Sequence, residues 1–230
     1  ADDYKVLVKS LYANAQSVQV YGGEDAATPD YGKVYISIKA KSGSNLTEVT
    51  KTSLVQSLKS YAVASVTPVI IDPETTFITL TTTFKYDSSL TTKDVSTLQT
   101  NVLNAVSTYN TDTLEDFTGM FRYSAVGKTI DEADTSILSN ITKIKMYKYI
   151  TPTLSSGLKY TLSFNNAFYN PHSGHNASAG GIVSSTGFKI NDDSSTNEHF
   201  LDDNGEGAIR VYYLSGTTRI YTDSSFGTID

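Results

Sequence analysis

The sequence predicts an α+β protein: two tandem small α/β sandwich units, antiparallel sheets with helices on one face, followed by a β-rich subdomain. Three observations predict it. First, two stretches alternate strictly: Val34, Ile36 and Ile38 against Tyr35, Ser37 and Lys39, and Ile78, Leu80, Thr82 and Phe84 against Thr79, Thr81 and Thr83. Period-two alternation buries one face of a strand and wets the other. Second, apolar stripes recur at three- and four-residue spacing, as in Tyr4, Leu7, Val8 and Leu11, and again in Val95, Leu98, Val102, Val106 and Tyr109. Third, the texture changes at Thr151, after which turn residues such as Pro152, Ser155-Ser156-Gly157 and Gly180-Gly181 separate short strands. The predicted boundaries are 1–72, 73–150 and 151–230.

Taken in order, Ala1–Leu11 reads as a helix with Asp2 and Asp3 in the first turn, where the helix dipole favours them. Strands Val18–Tyr21 and Lys33–Lys39 follow. Thr47-Glu48 to Tyr61 is a second helix with Leu54, Leu58 and Tyr61 inward. Val66–Ile71 is a short strand that Pro68 confines to an edge or a strand start. Helix, strand, strand, helix, strand is an antiparallel sheet under two helices. Asp72-Pro73-Glu74 is the turn between units, with Asp72 read as a side chain bonding its own backbone.

In the second unit Thr76–Tyr86 is the cleanest strand. Thr91, with Asp94 three positions on, is the predicted cap of a helix reaching Tyr109. Leu114, Phe117 and Phe121 suggest a short helical stretch, Arg122–Val126 a short strand and Asp131–Leu138 an acidic-started helix. Ile141–Ile150 is a strand carrying Lys143, Lys145 and Lys148. Those cations either protect a sheet edge or complement an acidic neighbour. In the last unit the predicted strands are Lys159–Phe164, Gly181–Ser185 and Ala208–Leu214, the last pairing with Thr218–Tyr221 through Ser215-Gly216-Thr217.

With 230 residues the chain can bury a real core without staples. It has no cysteine, which excludes disulfides and thiolate metal sites. No apolar run approaches the roughly twenty residues of a membrane span. A net charge of −6 argues against nucleic acid as the main partner. Sixteen tyrosines, no tryptophan and abundant Ser and Thr suit virion assemblies and carbohydrate-binding modules alike. A start at Ala1 and a stop at Asp230 suggest truncation at both ends.

The most specific stretch joins the first two strands. Tyr21, Gly22, Gly23, Glu24 and Asp25 are followed by Pro29, Tyr31 and Gly32. The two glycines mark positive φ or a close approach to another segment. Pro29 fixes its own φ and extends Thr28. The connection is longer than the roughly two to five residues of an ordinary hairpin. It is either an Ω-like loop packed on its own sheet or an interaction loop.

Here the chain resembles the large baseplate wedge protein of T-even-type contractile-tailed phages, a baseplate J-like family. Tyr21-Gly22-Gly23-Glu24-Asp25, then Pro29, then Tyr31-Gly32-Lys33-Val34-Tyr35-Ile36-Ser37-Ile38 follow that family's aromatic-Gly-Gly-Glu run, Pro-x-Tyr-Gly and strand. Ala1-Asp2-Asp3-Tyr4, Ile71-Asp72-Pro73, Phe121-Arg122-Tyr123-Ser124 before Ile130-Asp131, and Gly227-Thr228-Ile229-Asp230 match in order. Between about Ser155 and Leu201 little matches beyond Ile182-Val183-Ser184-Ser185. The resemblance implies a middle to C-terminal piece of a structural subunit in the virion's tail baseplate. Its partners would be itself, as a dimer or ring of copies, and other wedge proteins, with no nucleic acid and no membrane.

No catalytic signature is present. There is no Gly-x-Ser-x-Gly elbow, phosphate loop or His-Glu-x-x-His, so the chain reads as a non-enzyme without cofactors. His172, His175 and His199 are either a weak metal pattern beside Asp192, Asp193 and Glu198 or solvent-facing loop histidines. Asp202-Asp203-Asn204-Gly205-Glu206-Gly207 is half a calcium loop or a polar turn. The alternative function is a carbohydrate- or receptor-binding module of a tail fibre or adhesin, with Tyr160, Phe168, Tyr169 and Tyr212 as sugar platforms.

Overall fold

The computed structural model describes residues 2–26, 29–42, 45–61, 66–154, 156–167, 181–190 and 196–229. The chain forms two compact units, Ala1–Lys159 and Tyr160–Asp230, and mixes helices with largely antiparallel sheets in the α+β class.

In the first unit, α1 (Asp2–Leu11) leads into β1 (Ala15–Gly22), β2 (Lys33–Ala40), α2 (Glu48–Lys59) and β3 (Thr67–Ile71), and the sheet order is β1-β2-β3. β1 and β2 run antiparallel, with Val18 opposite Ile38 and Val20 opposite Ile36. β3 lies parallel to β2, from Lys33–Thr67 to Ser37–Ile71. The sheet is therefore mixed and not wholly antiparallel. The reason is the crossover: α2 carries the chain back along the sheet before β3 starts, as parallel neighbours require. Pro68 does occupy an edge strand, where its missing N–H interrupts no central ladder.

Thr47 caps α2, its Oγ1 accepting from the Thr50 amide at 3.3 Å. The helix buries Leu54 and Leu58 with Val8 of α1 against Val18, Val20, Ile36 and Ile38. Lys51 is buried with them. Its ammonium donates to Glu48 and to Asp72, both at 2.8 Å. Asp72 thus anchors the end of β3 to α2 through an ion pair, a role that a purely local turn bond does not include.

The same unit continues with β4 (Phe77–Tyr86), α3 (Val95–Tyr109), a π turn (Asn110–Leu114), α4 (Tyr123–Asp131) and β5 (Ile137–Tyr147). β4 and β5 form a two-stranded antiparallel ribbon. Val102, Val126, Ile130 and Ile137 make the core, with Leu80 and Phe84 packed on it. The cap of α3 is Asp94, which accepts from the Thr97 amide at 2.9 Å, in place of Thr91. Arg122–Val126 starts a helix and no strand. Val126 and Ile130, four apart, fall on one helical face and bury, which outweighs the short alternation around Tyr123. The expected helix at 131–138 is the turn after α4. Asp134 there accepts from the Ser136 amide and hydroxyl and from Lys93, so the strand begins earlier, at Ile137.

The second unit is a meander of β6 (His199–Asp203), β7 (Ala208–Ser215) and β8 (Thr218–Thr228). Residues 159–164 form no strand, and 181–185 contribute a single bridge, Ser184 to Asp202. β6 ends in two aspartates, which give it the letters of a turn although it pairs as a strand.

Candidate functional site

The connection between β1 and β2 is pinned from within. One turn of 3-10 helix, Gly23–Asp25, follows β1. The Gly23 carbonyl accepts from the amides of Ala26 (3.3 Å) and Asp30 (2.9 Å), so the loop folds back on that residue. Gly23 is buried, and a Cβ there would overlap the Asp30 backbone carbonyl. Close approach, and not a positive φ, demands glycine at this position. At Gly22 the atoms nearest a Cβ would be those of the movable Glu24 carboxylate. Gly32 is the residue that needs left-handed backbone, at φ 82°, and its carbonyl accepts from Thr67, tying the loop to β3.

Asp30 closes the loop's base. Its carboxylate accepts from Lys33 Nζ at 2.6 Å and from the Tyr35 hydroxyl at 3.3 Å. The Lys33 hydrogen bond holds the Asp30 carboxyl below its ordinary range, and Asp30 raises Lys33 in return. Tyr35 also stacks on Tyr21, centroids 5.5 Å apart. Above this base Glu24, Asp25 and Pro29 are exposed, and Tyr31 is 80% exposed. Thr28 lies outside the described residues. The loop offers a rigid base and an acidic tip carrying one aromatic ring. Its acids do not converge on a cleft.

Among the described residues no group of three or more His, Asp or Glu is placed to hold a metal ion. His172 and His175 lie outside those residues. His199 is 1% exposed and not a loop histidine facing solvent. Its ring packs between Phe188 and Tyr213, and its backbone pairs with Phe188 in both directions. Asp202 and Asp203 are likewise buried and belong to β6, so the expected polar turn holds for residues 204–207 and not for the two aspartates. Asp202 accepts from Arg210 Nε, Arg219 Nη1 and the Tyr221 hydroxyl, each at 2.9 Å. Asp203 accepts from the amides of Ile182, Val183 and Gly205 and binds the 181–183 segment to β6.

Sequence reasoning does not find this network, although a positional signal exists. Asp202 and Arg210 stand symmetrically about Glu206, in the turn that Asn204-Gly205 opens, as a hairpin register requires. The network also takes up one ring of the expected sugar platform, Tyr212. Tyr212 is buried between Phe200 and Tyr221, and the Arg219 guanidinium lies 4.9 Å over its ring. Tyr160 is exposed, while Phe168 and Tyr169 lie outside the described residues.

Residues 1–71 match the family model of the baseplate structural protein gp6, C-terminal domain I, and residues 74–149 match its C-terminal domain III. The baseplate wedge protein gp6 of Enterobacteria phage T4 is similar to this chain, 29% identical over 194 residues. That alignment covers 76% of this chain and 28% of the relative, so the chain spans little more than a quarter of the relative's length. Two matched domains follow one another on either side of the Asp72-Pro73 turn, and the chain belongs to the gp6 family of baseplate wedge proteins, structural components of the phage tail baseplate in the virion.

Proposed function

We propose that this chain is a mechanical building block of the inner baseplate ring, joining copies of itself and other wedge proteins through the Tyr21–Gly32 loop. The observation that carries this reading is the loop. Its base is held by backbone bonds to Gly23 and by the Asp30–Lys33–Tyr35 cluster, while Tyr31, Glu24 and Asp25 stand in solvent. A surface ordered before contact loses little entropy on association. The role is structural and not catalytic, in keeping with the gp6 relative. No helix among the described residues is long and apolar enough to cross a membrane, and the −6 charge disfavours phosphate backbones. We further propose three folding units, 1–72, 73–150 and 151–230. The separate family matches support the first two.

Light scattering behind size exclusion tests the assembly reading. A concentration-dependent dimer or larger species is expected, with a buried interface above roughly 1,000 Å² in its crystal structure. A chain that stays monomeric at every concentration overturns self-association.

A further inference from the structure

The face of the β4–β5 ribbon opposite the α3–α4 core is uncovered. Phe77, Thr79, Thr81, Thr83 and Lys85 lie on it from β4, and all are exposed. Across the ladder Tyr147, Lys145 and Lys143 stand opposite Phe77, Thr79 and Thr81. This face carries three lysines and no carboxylate, in a chain whose net charge is −6. None of Lys85, Lys143 and Lys145 forms an ion pair among the described residues, whereas the neighbouring Lys148 is held by Glu74 at 2.9 Å. At one end the Phe77 and Tyr147 rings stack at 5.1 Å, and Tyr149 meets both edge-on at 5.4 and 5.5 Å. Tyr149 is 78% exposed. An exposed aromatic cluster flanked by unpaired cations is the make-up of a steered contact surface.

We propose that this ribbon face receives the acidic β1–β2 loop of a neighbouring copy of the chain. Two identical ribbon faces cannot meet, because lysine would oppose lysine and like charges across an interface are repulsive. The occupant must be acidic, and the chain supplies one. Glu24 and Asp25 are exposed beside Tyr31 and are not ion-paired among the described residues. Every copy then carries both halves of the contact, acidic loop and basic ribbon. Made reciprocally, loop on ribbon and ribbon on loop, the contact gives a two-fold dimer; made once per pair, it continues head to tail into a ring or a filament. This inference rests on the self-association proposed above and names the surfaces that make it.

Charge exchange tests it. Sedimentation velocity is run on the chain, on K143E/K145E, on E24K/D25K and on an equimolar mixture of the two variants, with thermal melts followed by circular dichroism confirming that each folds. Each variant alone is expected to self-associate more weakly by about tenfold or more, and the mixture to regain association, since one variant's acidic ribbon now fits the other's basic loop. Added salt should weaken the wild-type contact by screening it. If the chain self-associates and either exchange is silent, or the mixture gives no rescue, the contact is wrong while self-association itself stands. A chain that is monomeric throughout removes both.

Discussion

At the residue scale, Gly23 shows how a single missing Cβ fixes a loop. The Asp30 carbonyl occupies the space a side chain would take, and backbone cannot step aside as a flexible side chain can. Gly23→Val is therefore expected to destabilise the chain by about 3 kcal/mol or more, since a β-branched residue here forces the loop off β1. Gly22→Ala should be nearly silent, because the Glu24 carboxylate can swing away. Urea denaturation of the two variants, with association measured alongside, checks the pair. Equal midpoints for Gly23→Val and wild type would sink the loop geometry. The need for glycine at this position was legible in the sequence, because a Gly-Gly pair closing an alternating strand marks a place where no side chain fits or where the backbone turns left-handed. Asp202 was not legible. A buried carboxylate and a turn carboxylate are the same letter, and only the pairing of β6 with β7 and of β7 with β8 brings two arginines to it.

At the scale of elements, the long periodic segments declared themselves, and among the short ones β3 did while α4 and β6 did not. α1, α2, α3, β2 and β4 each repeat their pattern over eight or more residues. α4 has nine residues and a mid-helix Gly127, tolerated there while the Asn140 amide donates to its carbonyl at 3.0 Å. Four or five residues of apparent alternation then compete on equal terms with a helical stripe, and tertiary burial of Val126 and Ile130 decides. The parallel placement of β3 was hidden for a related reason: strand direction is set by the connection, not by the strand's own letters. Caps are local enough to test directly. Thr47→Ala removes the acceptor for the Thr50 amide and is expected to cost about 1 kcal/mol, read as a lower urea midpoint with unchanged m-value. Thr47→Asp, which keeps an acceptor at the same place, should restore most of it.

At the scale of the whole molecule, the distribution of cores decides how the chain unfolds. One apolar cluster gathers Val8, Ile36, Ile38 and Leu58; another gathers Val102, Val126, Ile130 and Ile137; neither shares a buried residue with the other. The seam between the two is polar. Ser17 donates to Asp116 at 3.0 Å, Gln16 donates to the Thr111 carbonyl at 3.2 Å, and Lys39 approaches Glu115 at 3.8 Å. Such bonds contribute about 1 kcal/mol each, against the several kcal/mol of an apolar interface. The meander of β6–β8 has a third kind of centre, the Asp202 carboxylate under two guanidinium groups. If these are three cooperative units, calorimetry should resolve more than one transition, and each should answer to its own substitution. Leu58→Ala, at a side chain with no exposure, should cost about 2–5 kcal/mol and lower one transition only. Ile130→Ala should lower a second by a similar amount. Asp202→Ala leaves Arg210 and Arg219 without their counter-charge and should lower the third by about 3 kcal/mol. A single transition moved by both Leu58→Ala and Ile130→Ala would mean that the polar seam couples those two cores more tightly than its bonds suggest. Residues 2–149 would then unfold as one cooperative block and not as two in series.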